Sequence, residues 1–420
     1  MIANSRGSLI GVKLLLKKKY IISFVSTNII IALLGFLRSF AFMRVLDFQG
    51  LGLLTLVQTG AAFVGFSQIG LINGGYRMMA LQDQRISGET NNVFFSYLFI
   101  IAILLALVFM VGVTVDVVPE RFIVAIALVM GIFMMLSNWL SNTLLAKKEY
   151  SRLNKAGLVS NGLSLAAVPI AYYWGIYGGA LSVLLQPVTF VLIVLATGKA
   201  EWPNRFVANF GKIKEILSFG FIPYLSGLCF LLYVQVERWT TMAYIDASAL
   251  GQLYLVFIIS AMWILLPTSL LNLFFPRVVL YYHQKDAHNF NRIIKIHFLT
   301  LGIYSFVGVI FTLFILEKLV GVFFPQHVAF TYLALLSLPG LVFRVLCDPI
   351  SMVLNGVVKL RPLLWGEISG LVLYSVLMAA LAVKSSITLV SIVICADAYF
   401  AYKFLYLLYA YRSLKKEVFI

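Results

Sequence analysis

The sequence predicts an all-α integral membrane protein with about twelve transmembrane helices and no soluble domain of any size. Three observations lead to this prediction: the composition, the length of the apolar runs, and the placement of the basic residues. Of the 420 residues, 62% are hydrophobic and 11% are charged, whereas a soluble globular chain is about half apolar and a quarter charged. The mean hydropathy is +0.98. Such a chain has too few polar side chains to cover a soluble surface, and lipid is the solvent that accepts it.

The apolar runs are continuous and about 20 residues long, which is the length that a helix needs to cross the hydrocarbon core. In lipid every backbone polar group must be bonded internally, so a span is either a helix or a strand of a closed barrel. Barrel strands would show alternation over about ten residues, and these runs do not alternate. The predicted spans are 20–43, 51–73, 93–113, 122–146, 157–175, 177–198, 216–236, 249–273, 296–316, 329–354, 363–383 and 387–411.

The basic residues alternate in number from one loop to the next. With the N-terminus in the cytoplasm, 24 of the 32 Lys and Arg residues fall on the cytoplasmic side, five in outer loops and three inside spans. This follows the positive-inside rule and predicts that both termini are cytoplasmic. One helix more or fewer would invert every later loop, so the count supports twelve spans independently of hydropathy. The net charge of +16 therefore indicates membrane topology and not nucleic-acid binding.

The two halves of the chain echo each other. The polar stretch 199–215 separates six predicted spans from six, so we predict an N-terminal lobe at 1–198, a cytoplasmic linker at 199–215 and a C-terminal lobe at 216–420. Segments 47–52 and 246–251 both read Asp-x-x-x-Leu-Gly after an odd-numbered span. Asp is expected to cap the incoming helix, and Gly to let the chain turn closely at the membrane surface. Since both halves begin inside, the repeats are predicted to be parallel, related by an axis along the membrane normal.

No catalytic or metal-binding motif is present in the sequence. It contains no P-loop, HExxH, GxSxG or Gly-rich dinucleotide fingerprint. The four histidines do not cluster with carboxylates, and the three cysteines all lie within apolar runs, without disulfide or zinc spacing. The sequence predicts neither an enzyme nor a cofactor or metal site.

Ionisable residues within spans are informative, because each costs several kcal/mol unless it is paired or faces water. Arg38 has no acidic neighbour one turn away, so it either faces a wet cavity, which we favour, or extends to the outer surface. Arg344 precedes Asp348 by one turn. Either the two side chains neutralise each other, or Arg344 binds a substrate. Asp397 and Lys403 lie in the last span.

Uncharged polar residues also share helix faces. Asn138 and Asn142 in the fourth span lie beside serines at helical spacing, and Ser160, Asn161 and Ser164 do the same in the fifth. Two explanations of these polar faces remain open. The side chains either form hydrogen bonds between helices, worth about 0.6 kcal/mol on average, or line the wall of a wet cavity.

Segments 44–52 with 68–71, and 237–240 with 250–254, resemble the polysaccharide-flippase branch of the multidrug/oligosaccharidyl-lipid/polysaccharide exporter superfamily, the O-antigen flippase (Wzx) type. In that family an acidic–Arg pair ends the seventh helix and a Gly-x-Tyr-like sequence opens the eighth. Here the pair is Glu237-Arg238, and Gly251 and Tyr254 are spaced one residue further apart than in the family. The resemblance extends over the whole chain in length, helix number and charge topology.

The resemblance implies two six-helix lobes around a central cavity that faces either side of the bacterial inner membrane. It implies a polyprenyl-pyrophosphate-linked oligosaccharide as substrate, with the polymerase and chain-length regulator of the same pathway as possible partners. A pyrophosphate-sugar head group needs a cationic, wet path, and Arg offers a bidentate fork for phosphate oxygens. The implied pyrophosphate contacts are Arg38, Arg44, Arg238 and Arg344. Further substrate contacts are Asn138, Asn142 and Lys403, and Asp348 and Asp397 are the candidates for ion coupling.

Three alternatives are weighed against this reading. A cation-coupled multidrug antiporter of the same superfamily would want acidic cavity residues, and the predicted spans of the first lobe contain no Asp or Glu. Lipid II flippases of the superfamily have fourteen helices, and the twelve predicted here argue against that alternative. An O-antigen polymerase or ligase would be an enzyme with a large outer loop, and no outer loop here exceeds about 20 residues.

Overall fold

The computed structural model describes residues 26–81, 84–114, 121–198, 203, 206, 209–357 and 359–418. All regular structure within these ranges is helical. The α-helices are α1 Ser26–Val45, α2 Phe48–Gly65, α3 Leu71–Leu81, α4 Gln84–Thr114, α5 Arg121–Ala146, α6 Tyr150–Ala166, α7 Ile170–Thr197, α8 Phe210–Tyr244, α9 Ala247–Gln252, α10 Tyr254–His283, α11 Ala287–Phe323, α12 Thr331–Leu336, α13 Leu338–Gly356, α14 Leu360–Val383 and α15 Leu389–Val418.

The helices form two six-helix lobes, α1–α7 and α8–α15, that repeat in parallel around a central cavity, as predicted. Three spans are broken into two helices each: α2 with α3, α9 with α10, and α12 with α13. The first of these breaks lies at Ile69 and Gly70, whose φ angles are 50° and 93°. Among the described residues, eleven stretches are long and apolar enough to cross a membrane. Helix α6, with 17 residues, is not among them, and it occupies the place in chain order between α5 and α7 where a twelfth span is expected.

The surface of the bundle is apolar where a membrane would surround it. Helices α4 and α11 carry some of the most exposed large hydrophobic side chains, among them Val108 at 70% and Phe314 at 69% exposure. In water this surface would drive aggregation, whereas in a bilayer it faces hydrocarbon.

Several helix limits differ from the sequence prediction. Helix α6 covers Tyr150–Ala166 and not 157–175, and α7 begins at Ile170 and not at 177. Pro169, which has no backbone N–H to donate, stands at the start of α7. The kink in this region is at Gly175, with φ 53° and ψ −132°. Hydropathy missed these limits because α6 buries polar side chains while the first turns of α7 are apolar.

The expected linker 199–215 is also shorter at its C-terminal end. Helix α8 begins at Phe210, where the Asn209 side chain accepts a 3.0 Å hydrogen bond from the Lys212 amide. The last six residues of the expected linker are therefore the first turns of a 35-residue helix.

The main contacts between the lobes join α2 to α9 and α3 to α8. Both Asp-x-x-x-Leu-Gly segments lie at the α2–α9 contact. Their aspartates cap α2 and α9 as predicted: Asp47 accepts from the Gly50 amide at 2.7 Å, and Asp246 from the Ala249 amide at 2.6 Å. The role expected for the glycines was wrong, because Gly52 and Gly251 lie within these helices and allow two backbones to touch.

Candidate functional site

Three adjoining cavities run from the first lobe to the second. The first has a volume of about 540 Å³ and is bounded by α1, α2, α5, α6 and α7. The second, about 440 Å³, lies between the lobes, and the third, about 240 Å³, lies in the second lobe. Arg38 and Gln58 border the first two cavities, while Arg238 and Phe257 border the last two. The three cavities therefore adjoin one another from the first lobe to the second, and we call this series of cavities the path.

Arg38 faces the start of this path. One nitrogen of its guanidinium, Nη1, donates to the Ser164 hydroxyl and to the Gln186 side-chain oxygen, both at 2.7 Å. Helix α6 supplies Ser164 and helix α7 supplies Gln186. The side chain is therefore directed into the first lobe. It faces the cavity and does not extend to the outer surface, which was the other orientation considered from sequence.

Arg238 lies within α8 and lines the second and third cavities. The predicted span 216–236 left Arg238 in an outer loop, and this placement was wrong because α8 continues to Tyr244. Its Nη1 donates to the Thr59 hydroxyl of α2, and its guanidinium lies 4.9 Å from the centre of the Phe257 ring. Its buried Nε has no hydrogen-bond partner within the described part of the chain. A hydrogen bond across the lobe interface thus orients a cation that retains an unused donor.

Arg344 lines the third cavity with Glu237 and Asp397. Its guanidinium lies 5.2 Å from the Phe230 ring centre and 5.3 Å from that of Phe400, a cation–π arrangement. Glu237 interacts electrostatically with both Arg238 and Arg344. Asp397 accepts a 3.0 Å hydrogen bond from the Gly340 amide. This end of the path therefore combines two guanidinium groups with two carboxylates.

Asp348 does not neutralise Arg344. Its Oδ2 lies 3.9 Å from Nε2 of His297, a side chain with no exposed surface. Asp348 Oδ2 and both His297 ring nitrogens are buried without a hydrogen-bond partner among the described residues. Of the two explanations considered from sequence for Arg344, mutual neutralisation with Asp348 was wrong, because Asp348 lies beside His297 while the Arg344 guanidinium packs against Phe230 and Phe400.

Lys403 belongs to an ion pair between α14 and α15. Its Nζ lies 2.5 Å from Glu367, and the Tyr399 hydroxyl donates to the same carboxylate at 2.7 Å. Both partners of the ion pair are nearly buried, with 13% and 12% of the side chain exposed. The expectation that Lys403 is a substrate contact therefore needs correction, since its charge is already balanced by Glu367.

The remaining expected residues divide in two groups. Asn138 lines the first cavity and a further cavity of about 330 Å³ between α2, α5 and α8, and Asn142 lines that further cavity. Arg44, in contrast, is exposed near the end of α1 and does not line the described cavities. The structure brings Asn138 to the path, places Asn142 at the further cavity beside it, and leaves Arg44 outside both.

The sequence reasoning missed several groups of the site. Glu237 appeared in a motif but was not selected, and Gln58, Gln186 and Glu367 were not noticed. A signal for Glu367 was available, since a lysine inside a span needs a buried counter-charge. Glu367 lies near the cytoplasmic end of the preceding predicted span, 363–383, just as Lys403 lies toward the cytoplasmic end of its own span. Within the described ranges, no group of three or more His, Cys, Asp or Glu side chains is placed to hold a metal ion.

The comparisons with known proteins concern the fold. No protein-family model and no curated protein sequence matches the chain. Solved structures do match. An inward-facing multidrug resistance MATE family transporter of the MOP superfamily has a TM-score of 0.65 at 14% identity, covering 92% of this chain and 96% of its own. The lipid II flippase MurJ in an inward closed conformation has a TM-score of 0.69 at 11% identity, covering 93% and 87%.

A third similar structure is a MOP superfamily transporter from Pyrococcus furiosus, described as having a binding pocket of reversed polarity. Its TM-score is 0.55 at 16% identity, covering 95% of this chain and 96% of its own. At such identities a structural match establishes the fold alone. This chain therefore has the two-lobed helical fold of MATE transporters and the MurJ flippase of the MOP superfamily.

Proposed function

We propose that this protein is a flippase that moves a polyprenyl-pyrophosphate-linked oligosaccharide, the repeat unit of an O-antigen, capsule or exopolysaccharide, across a bacterial inner membrane. The observation that supports it best is that Arg38, Arg238 and Arg344, from α1, α8 and α13, line the path through both lobes. Guanidinium groups bind phosphate oxygens through paired hydrogen bonds. The polar path takes the head group while the lipid tail stays in the bilayer.

The proposed mechanism is alternating access of the path to the two membrane surfaces. The α2–α9 and α3–α8 contacts join the two lobes at separate places, and in this mechanism they close the two ends of the lobe interface in turn. From the positive-inside count we assign the α2–α9 contact to the outer side and both termini to the cytoplasm. The moving units are the two lobes, α1–α7 and α8–α15. The polymerase and chain-length regulator of the same pathway are the proposed partners, and no cofactor is needed.

A binding experiment tests this function. The purified protein is titrated with undecaprenyl pyrophosphate, and the bound fraction is measured by native mass spectrometry. Hydrogen bonds to charged groups are worth about 1.5–3 kcal/mol, so we expect Arg238→Ala and Arg344→Ala each to weaken binding roughly 10- to 100-fold. Arg292→Ala removes an exposed arginine of α11 and serves as the matched control with unchanged affinity.

The same preparation separates the alternative of a multidrug antiporter. Glu237 and Asp397 give the third cavity two carboxylates, which is the feature that a cationic drug would use. If the wild-type protein does not bind undecaprenyl pyrophosphate but binds ethidium, and Glu237→Gln loses ethidium binding, the flippase proposal is wrong and the antiporter is favoured.

A further inference from the structure

The first-lobe cavity has a wall of amide side chains. Helices of one lobe alone enclose it, and its volume is about 540 Å³, within the range of roughly 300–1,000 Å³ typical of small-molecule sites. Carboxamides reach it from all five surrounding helices. They are Asn28, Gln58, Asn138, Asn154, Asn161 and Gln186.

The charge of this cavity distinguishes it from the rest of the path. Of the described side chains that line it, Arg38 carries the one charge, and no carboxylate is among them. The third cavity, by comparison, holds Glu237, Arg238, Arg344 and Asp397. The first-lobe cavity is therefore poorly suited to a cationic ligand, and the second guanidinium needed to clamp a diphosphate is at the other end of the path.

Hydrogen-bonding capacity in the first-lobe cavity is partly unused. Asn154 is only 9% exposed, and its buried Oδ1 has no hydrogen-bond partner among the described residues. An unpaired buried amide oxygen is unfavourable, and a hydroxyl donor from a ligand would satisfy it. Asn138 is exposed to the cavity. An amide offers two donors and an acceptor, which suits hydroxyl groups that both donate and accept.

Arg38 connects this wall to the rest of the path. Its Nη1 is occupied by Ser164 and Gln186, which leaves the donors on Nε and Nη2. Because Arg38 also borders the cavity between the lobes, it stands where an uncharged group in the first lobe would join a charged group nearer Arg238.

We propose that the first-lobe cavity binds the uncharged, hydroxyl-rich sugar portion of the substrate, while Arg238 and Arg344 bind its pyrophosphate. The inference rests on the proposed function and assigns Gln58 and Asn154 as sugar-contacting residues. The two lobes then recognise different parts of one head group. Specificity for the sugar resides in α2, α5 and α6, and recognition of the pyrophosphate in α8 and α13.

The test compares two ligands on the same variants by native mass spectrometry. One ligand is bare undecaprenyl pyrophosphate, and the other is the polyprenyl-pyrophosphate-linked oligosaccharide fraction extracted from the cells that produce this protein. We expect the sugar-bearing lipid to bind more tightly than the bare one. Asn154→Leu and Gln58→Leu should each lower the affinity for the sugar-bearing lipid roughly 3- to 10-fold and leave the bare lipid unaffected.

Controls separate the possible failures. Arg344→Ala should weaken both ligands, and Asn291→Ala, which removes an amide bonded to its own helix at the Ala287 carbonyl, should weaken neither. If the wild-type protein binds the bare lipid but the sugar adds no affinity, or if the added affinity survives both amide substitutions, the sugar site is wrong while the flippase function stands. If the wild-type protein binds neither lipid, both proposals are wrong.

Discussion

Gly52 and Gly251 each lie against the backbone of the opposite lobe. A β-carbon at Gly52 would overlap the Ala247 carbonyl of α9, and one at Gly251 would overlap the Phe48 carbonyl of α2. Each glycine is the last residue of one Asp-x-x-x-Leu-Gly segment, and each carbonyl belongs to the residue after the aspartate of the other. The two segments therefore form one pseudo-symmetric contact, in which the absence of side chains allows the helices to touch.

The first prediction concerns this α2–α9 contact. Gly52→Val places a branched side chain where a backbone lies, and overpacking of this kind costs about 1–3 kcal/mol. The open state at this end should gain roughly tenfold or more in population. In an Ala249→Cys background, where position 249 is 3% exposed, a membrane-impermeant maleimide added outside should label the variant faster.

Gly302→Val is the control for that experiment. Gly302 lies in α11, and nothing lies within 4 Å of the position that its β-carbon would take. Labelling at position 249 should not change in this variant. Equal labelling of Gly52→Val and the parent protein would show that the α2–α9 contact does not govern access.

The α3–α8 contact predicts the opposite effect. A β-carbon at Gly74 would overlap the Ile216 carbonyl, and one at Gly220 would overlap the Gly70 carbonyl. Gly220→Val should therefore favour opening toward the cytoplasm. Ile216→Cys, 1% exposed in the parent, should react faster with maleimide in inside-out vesicles, while labelling at Ala249→Cys from outside should slow. Increased labelling at both ends would contradict alternating access.

A double substitution tests the role of Arg344. Because Asp348 lies beside His297 and not against Arg344, removing Asp348 should not compensate for the loss of Arg344. We expect Arg344→Ala to abolish flipping and the variant with both Arg344→Ala and Asp348→Ala to remain inactive. Complementation of a flippase-null strain, scored by surface polysaccharide and corrected for the amount of protein in the membrane, measures this. An active double variant would assign Arg344 a structural role.

The ion pair of Lys403 with Glu367 predicts a stability effect. Lys403→Met leaves a nearly buried carboxylate without its cation, and breaking a buried pair costs about 3–5 kcal/mol. Adding Glu367→Gln should restore most of that loss, because an amide still accepts from the Tyr399 hydroxyl. Thermal unfolding in detergent measures the difference. If the double variant is no more stable than Lys403→Met alone, the pair does not account for the stability of this site.

The topology has a direct test. Reporter fusions at Gly88 and Asp286 should be cytoplasmic. Fusions at Lys384 and at Asp116, which lies outside the described residues, should be on the outer side, as the excess of basic residues in the predicted cytoplasmic segments requires. A single inverted fusion would contradict the twelve-span arrangement.

The sequence by itself determined the all-helical membrane fold, the approximate number of helices and the parallel repeat. These depend on the solvent that each residue type accepts, and hydrocarbon enforces that choice locally along the chain. The caps at Asp47 and Asp246 were likewise predictable, because a cap is a contact over three residues. The limits of α6 were not, because buried polar residues lower its hydropathy: Ser164 bonds to Ser182 of α7, while Ser160 and Asn161 bond to the Gly157 carbonyl within α6 itself.

Only the tertiary structure decided which charges meet. Arg344 and Asp348 are one turn apart in sequence and yet face different partners, while Lys403 finds its carboxylate 36 residues away in Glu367. Arg238 was predicted to lie in a loop, whereas the structure shows that α8 continues past it to Tyr244. Sequence spacing determines the direction in which a side chain leaves its own helix. The groups that surround it depend on how the helices pack, and for Gly52 and Gly251 on how closely two backbones approach.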